Sequence, residues 1–236
     1  MDGRRLILKK EDNIITGINR LGFNVAVPQT LIDSAADYDG DFIIDGEAVG
    51  DTLHAFDLLS VGWDSIRHWR FCDRYYRLWE LFKEFDHPHI QIVDTSAGSD
   101  KQDRFDVFMQ KGKEGVVFKS VDAPYTPGRP NAGGTQLKYK FYETASFIVT
   151  KPNPKRSVSL ILFEGDKVRA AGNVTIPPNH DIPAPGTVVE CRYLYAFKES
   201  GSIYQPVYLG PREDILGEEC TTAQLKYKAS EMLSAA

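Results

Sequence analysis

Residues 41–59, Asp-Phe-Ile-Ile-Asp-Gly-Glu-Ala-Val-Gly-Asp-Thr-Leu-His-Ala-Phe-Asp-Leu-Leu, hold the key to the fold. The run 41–49 reads as a strand in which Ile43 and Ile44 lead into Asp45-Gly46-Glu47, and Phe56-Asp57-Leu58-Leu59 ends a second hydrophobic stretch. Working outward, residues 5–9, 13–18, 90–93 and 115–119 also read as strands. Residues 65–85 read as a helix, because Ile66, Trp69, Cys72, Tyr75, Tyr76, Trp79 and Phe82 recur at three- and four-residue steps. A second helix is expected from Ser99, where Ser99 and Gln102 have capping-box spacing and Phe105 and Phe108 would face inward.

The pattern changes past a Pro/Gly-rich stretch, 123–134, and the segment 136–141. Residues 157–163, 167–176, 187–197 and 203–209 are strand-like, separated by turns such as Gly165-Asp166 and Pro177-Pro178. Short strands at this density suggest a small antiparallel barrel. Residues 223–233 would close it as a helix, and the boundary should fall near 141–145.

The chain has 236 residues, 42% apolar and 26% charged, with 28 basic against 33 acidic side chains and a net charge of −5. That suits a globular protein of one or two domains and argues against disorder. No apolar run reaches membrane-span length, and no apolar signal region follows the N-terminal charges. Three widely spaced cysteines exclude a disulfide framework and a Cys-x-x-Cys zinc site. The charge is uneven: residues 119–169 carry nine Lys/Arg against four acids, a net +5, while the remainder is at −10. A basic belt on an acidic chain fits a polyanion held in one groove, and equally a solvated surface with chance clustering.

Familiar nucleotide and metal motifs are missing: no P-loop, no dinucleotide fingerprint, no His-Glu-x-x-His. The scattered histidines, His87 and His89 included, suit surface positions better than a metal site. What remains is a series of short charged motifs at strand ends. They are Asp2-Gly3-Arg4-Arg5, Asn19-Arg20-Leu21-Gly22, Asp45-Gly46-Glu47, Phe56-Asp57, Glu114-Gly115-Val116-Val117-Phe118-Lys119 and Lys138-Tyr139-Lys140. Singly, each is weak; Asp-Gly-Glu is usually a turn and Lys-x-Lys a wet strand face.

In this order and at these spacings the set resembles the nucleotidyltransferase motifs of ATP-dependent DNA ligases. The resemblance implies an α+β fold: an adenylation domain (ATP-grasp-like, antiparallel sheets with helices) over 1–143 and an all-β OB-fold barrel over 144–236. It also implies that ATP supplies AMP, first to an enzyme lysine and then to the 5′-phosphate of a nick in duplex DNA, before the 3′-hydroxyl expels it. Such phosphoryl transfer relies on positioning and charge neutralisation. Glu114, with Glu47 beside it, would hold Mg²⁺ or Mn²⁺. Arg5, Glu47, Glu114, Lys138 and Lys140 would form the catalytic set, and Arg5, Arg20, Glu47, Phe56, Lys119, Lys138, Lys140 and Arg212 would bind the nucleotide. Glu47 could also bond the ribose hydroxyls. Phe56 would stack on the base, although a core aromatic is nearly as good a reading. Arg212 stands in Pro211-Arg212-Glu213-Asp214, where the family has Arg-x-Asp-Lys and this chain has Ile215 for the lysine. DNA phosphates would meet Arg20, Lys151, Lys155, Arg156, Lys167 and Arg169. Tyr193, Tyr195 and Tyr204 read as barrel packing rather than base stacking.

The family's nucleophilic lysine would immediately precede Met1 and is not in the sequence. The numbered chain starts just after it, or was shortened deliberately, or Met1 is a true start and the ligase is degenerate. The first two are favoured because every other motif is present. A monomeric cytoplasmic enzyme of bacterial or viral type is expected. The rival readings are an RNA ligase, an mRNA-capping guanylyltransferase, and a nick-binding protein without catalysis.

Overall fold

Alternation sets the first sheet. In β1 (Arg4–Glu11) Leu6, Leu8 and Lys10 are buried, so Arg5, Ile7 and Lys9 share the other face. β4 (Phe42–Val49) follows the same rule, with Phe42, Ile44 and Ala48 toward the core and Asp45 and Glu47 on the face of Arg5. The computed structural model describes residues 3–83, 88–128 and 134–229. Asp2, His87, Arg129, residues 84–85 of the expected first helix and residues 230–233 of the expected last one lie outside them.

The chain divides into two compact units, one of Met1–Asp106 with Val116–Tyr139, the other of Val107–Gly115 with Lys140–Ala236. The first unit holds a seven-stranded sheet. β2 (Ile14–Ile18) pairs with β1, and β3 (Asn24–Val25) with β2. On the other side of β1 come β4, β5 (Thr52–Val61) and the short β6 (Asp64–Ser65), while β7 (Ile90–Ile92) joins β5 in parallel. Its core gathers Leu6, Leu8, Leu31, Phe42, Ile44, Leu58, Leu78 and Phe82. Gly46 faces that core, where a Cβ would lie 2.6 Å from Leu53 Cδ1 and 2.8 Å from the His54 carbonyl oxygen; only glycine lets β5 approach so closely.

Among the described residues three α-helices accompany the strands: α1 (Gln29–Ala36), α2 (Phe71–Phe82) and α3 (Asp100–Gln110). Helix α1 was not expected. Its C-terminal carbonyls take the buried Lys10 ammonium: Ala36 O at 3.0 Å and, just beyond, Tyr38 O at 2.5 Å. The expected 65–85 helix is shorter and turned. Residues 64–65 pair with β5 instead, and the buried face of α2 is Arg74, Leu78, Leu81 and Phe82, leaving Trp69, Tyr76 and Trp79 exposed. The capping box does not form, because the Ser99 hydroxyl donates to Asp100 Oδ1 (3.0 Å). Phe105 and Phe108 are only half-buried, with Phe105 stacked near Phe118 and Tyr139. β8 (Gly115–Lys119) and β9 (Gln136–Lys140) form a two-stranded ribbon.

The second unit carries a five-stranded antiparallel sheet. In it β12 (Lys167–Thr175), β11 (Ser157–Glu164), β10 (Glu143–Asn153), β13 (Val188–Tyr193) and β16 (Val207–Pro211) lie in that order, and the two edge strands approach each other, curling the sheet. Phe147, Leu160, Leu162, Val174, Val189, Cys191 and Tyr193 fill its core. β10 went unread because its apolar half runs into Lys151-Pro152-Asn153-Pro154. The expected 187–197 strand breaks at Leu194, and β14 (Tyr195–Ala196) pairs with β15 (Ile203–Tyr204). The closing helix is absent among the described residues. Thr222–Gln224 is one 3₁₀ turn, after which Tyr227 bridges Ala196 in extended form.

Candidate active site

In the first unit the acidic motifs meet on one sheet face. The β4–β5 register sets Asp45 opposite Asp57, with both carboxylates buried. Like charges facing across strands repel, and buried ions cost several kcal/mol unless paired. Three cations answer them. Arg5 forks onto Asp45 at 2.9 and 2.5 Å. Arg74 forks onto Asp57 at 2.8 and 3.1 Å. The Lys119 ammonium lies 3.5 Å from Asp57 Oδ2. The Tyr125 hydroxyl accepts from Arg5 (2.7 Å) and donates to Asp45 (3.0 Å). Burial first, and then the Asp45 charge, pushes that phenol up to about 12.

A register shift in β4–β5 falls beside Phe56, the kind of irregularity that re-aims a side chain. Lys119 donates to the Phe56 carbonyl (3.2 Å) and sits over the Phe56 and Phe71 rings, 4.7 and 4.3 Å from their centroids. Burial pulls the Lys119 pKa below the ordinary lysine value, with Asp57 opposing. Arg5 and Arg20 line one shallow pocket with Asn19 and Tyr125. Asn19 builds the turn presenting Arg20, its side-chain oxygen accepting from the Leu21 and Phe23 amides at 2.9 and 3.1 Å. Glu47 is half-buried opposite Arg5 and accepts from the Gly3 amide (3.3 Å). Lys138 lies exposed on β9.

In the second unit Glu114 pairs with Lys140 (2.7 Å), which also donates to Gln205 (2.9 Å). Arg212 forks onto Asp214 at 2.8 and 2.6 Å and reaches Glu190 at 3.1 Å. The Arg212 hydrogen bonds hold Asp214 down at about 2. Of the residues expected to meet DNA here, Lys151, Lys155 and Lys167 are exposed. Arg156 instead donates to the carbonyls of Pro177 (3.2 Å) and His180 (2.6 Å), and Arg169 to Glu164 (2.6 Å) and the Lys198 carbonyl. Both guanidiniums fasten loops. Tyr193 is fully buried, with Tyr195 stacked on Tyr204 at 4.9 Å, as packing requires.

Each of these features lies within its own unit, and one stretch of chain, 49–140, carries Phe56, Asp57, Arg74, Glu114, Lys119, Tyr125, Lys138 and Lys140. That stretch matches the ATP dependent DNA ligase domain. Outside the matched stretch lie Arg5, Arg20, Asp45 and Glu47, on strands or turns of the same sheet. A DNA ligase of Methanopyrus kandleri is 34% identical over 79 residues, 32% of this chain and 14% of the relative. The chain thus spans about a seventh of the length of the curated relative it matches. The fold resembles the ligase domain of M. tuberculosis LigD, with a TM-score of 0.54 at 21% identity over 93% of this chain and 90% of that one. It also resembles a Lig E DNA ligase, with a TM-score of 0.65 at 18% identity and 90% coverage of each chain. These likenesses establish the mixed α+β ligase fold.

Arg74 and Tyr125 belong to none of the motifs read from the sequence. Arg74 left one trace, a charge placed in the apolar stripe of α2 four residues before Leu78.

Proposed function

We propose that this chain is the core of an ATP-dependent DNA ligase, an adenylation domain over 1–143 and an OB-fold domain over 144–236, that seals 5′-phosphate/3′-hydroxyl nicks in duplex DNA. The observation that carries the reading is the Asp45–Asp57 cluster inside a matched ligase fold, because it gathers Arg5, Lys119 and Phe56 on one face. Arg5 and Lys119 oppose phosphate charge there, Phe56 stacks on the base, and Arg20 takes a phosphate in the pocket it shares with Arg5. Lys138, Lys140 and Arg212 are assigned to the nucleotide, and Lys151, Lys155 and Lys167 to the DNA backbone.

A ligase of this kind uses Mg²⁺. Among the described residues no three His, Cys, Asp or Glu side chains cluster as a cage. Glu114 and Glu47 each offer a hard carboxylate that is not fully buried, which fits an ion usually held by one or two carboxylates plus water and substrate phosphate. Mg²⁺ would neutralise developing phosphate charge. Glu114 now shares its charge with Lys140, so a cation and the ammonium would divide one carboxylate.

The test is a choice of substrates: ATP against GTP, and nicked duplex DNA against an RNA 5′-diphosphate end. Saturable ATP binding with retention of nicked DNA supports the reading; GTP binding with the RNA end would replace it by a capping enzyme. No helix among the described residues is long and apolar enough to cross a membrane.

A further inference from the structure

Arg74 is the largest fully buried side chain of the described residues, yet it lies outside every motif by which the site is read. It is a hub. Its Nε and Nη2 hold Asp57, its Nη1 donates to the carbonyls of Trp69 and, at 3.3 Å, Ala123, and its guanidinium lies over the rings of Phe71 (5.8 Å) and Tyr125 (5.9 Å). Through Asp57 it touches the arm that carries Lys119, and through Ala123 and Tyr125 the loop that bonds Arg5.

We propose that Arg74 is a positioning residue of the nucleotide site, dividing the Asp57 carboxylate with Lys119 so that the Lys119 ammonium stays on Phe56 and Phe71 and is only partly offset by Asp57, leaving it available to phosphate. This rests on reading Lys119 as nucleotide-facing. Were Asp57 paired with Lys119 alone, the lysine would be neutralised by its own protein. Were Asp57 absent, the ammonium would lose its anchor. A bidentate fork bonds both carboxylate oxygens and still leaves a lone pair on one of them for a third partner. The charged groups facing Lys119 are Asp57 from β5, Asp45 from β4 and Arg74 from α2.

The experiment uses the full chain with Arg74→Met, Arg74→Lys and Asp57→Asn, read two ways. The first reading is the ¹³Cε NMR titration of Lys119, assigned by its loss in Lys119→Arg, which reports on the ammonium whether or not the chain is active. Arg74→Met should move that titration to higher pH, Asp57→Asn to lower pH, and Arg74→Lys should fall between the parent and Arg74→Met. The second reading is sealing of nicked DNA that already bears 5′-AMP, where Arg74→Met should lose at least about tenfold in rate and Arg74→Lys less, in proportion to its titration. An unmoved Lys119 titration overturns the proposal, even if sealing falls, since Arg74 would then serve the fold alone. So does a moved titration with sealing at the parent rate. A moved titration in a parent chain that seals nothing supports the Arg74–Asp57–Lys119 coupling and overturns the ligase reading instead. Should Arg74→Met fail to fold, Arg74→Lys and Asp57→Asn decide by the same criteria.

Discussion

Asp45 and Asp57 stand opposite one another on adjacent strands, both carboxylates buried, each gripped by its own arginine. Hydrophobic burial alone would not choose such a pair. It persists because Arg5, Arg74, Lys119 and the Tyr125 hydroxyl satisfy it from several sides.

Removing one partner should therefore cost far more than removing a surface ion. Asp57→Ala would leave Arg74 buried without its carboxylate and should lower stability by about 3–5 kcal/mol. Arg70, exposed and paired with Asp73, serves as the control: Arg70→Ala should leave the urea midpoint unchanged. Equal midpoints for the two variants would show that the buried pair is not a keystone of the first unit.

Tyr125 reports the same cluster through pH. Its phenol, near 10 in the unfolded chain, is pushed up to about 12, so unfolded molecules lose the proton first. Its contribution to stability is thus complete below pH 10 and is lost as pH rises toward 12. Burial also raises the phenols of Tyr38, Tyr75, Tyr193 and Tyr208, so ultraviolet titration should show several late phenols, of which Tyr125→Phe removes one. The same variant should cost about 1–3 kcal/mol, because Arg5 and Asp45 lose their shared hydroxyl.

The basic residues of the second unit divide into two kinds. Lys151→Ala, Lys155→Ala and Lys167→Ala should each flatten the slope of log affinity for DNA against log salt, by up to about 0.9 for every phosphate no longer neutralised, without changing thermal stability. Arg156→Ala and Arg169→Ala should lower the melting temperature instead, since their guanidiniums tie down the loops at 177–180 and 198–199. Melting curves and affinity at two salt concentrations check both groups.

Much of this was legible in the residues because period-two alternation and turn chemistry are local. The strand that carries Asp45-Gly46-Glu47 and the 115–119 strand could be read directly. Helix α1 was not, being eight residues long with no side-chain cap. The turn of α2 was misread because its aromatics Tyr76 and Trp79, like Trp69 just before it, are exposed while a charged residue, Arg74, is buried. That inversion depends on Asp57, 17 residues away, and no local pattern encodes it. Likewise the carbonyl partners of Arg156 and Arg169 come from loops 21 to 30 residues away, which no local pattern encodes.

The central question is whether this chain joins DNA strands. A nick that already carries 5′-AMP needs no nucleophilic lysine, so it interrogates the other site residues alone. With Mg²⁺ the chain should seal it, and Glu114→Ala should lower the rate at least about a hundredfold with the fold intact. Tight binding of that nick with no strand joining, or joining by Glu114→Ala at the parent rate, would contradict the assignment.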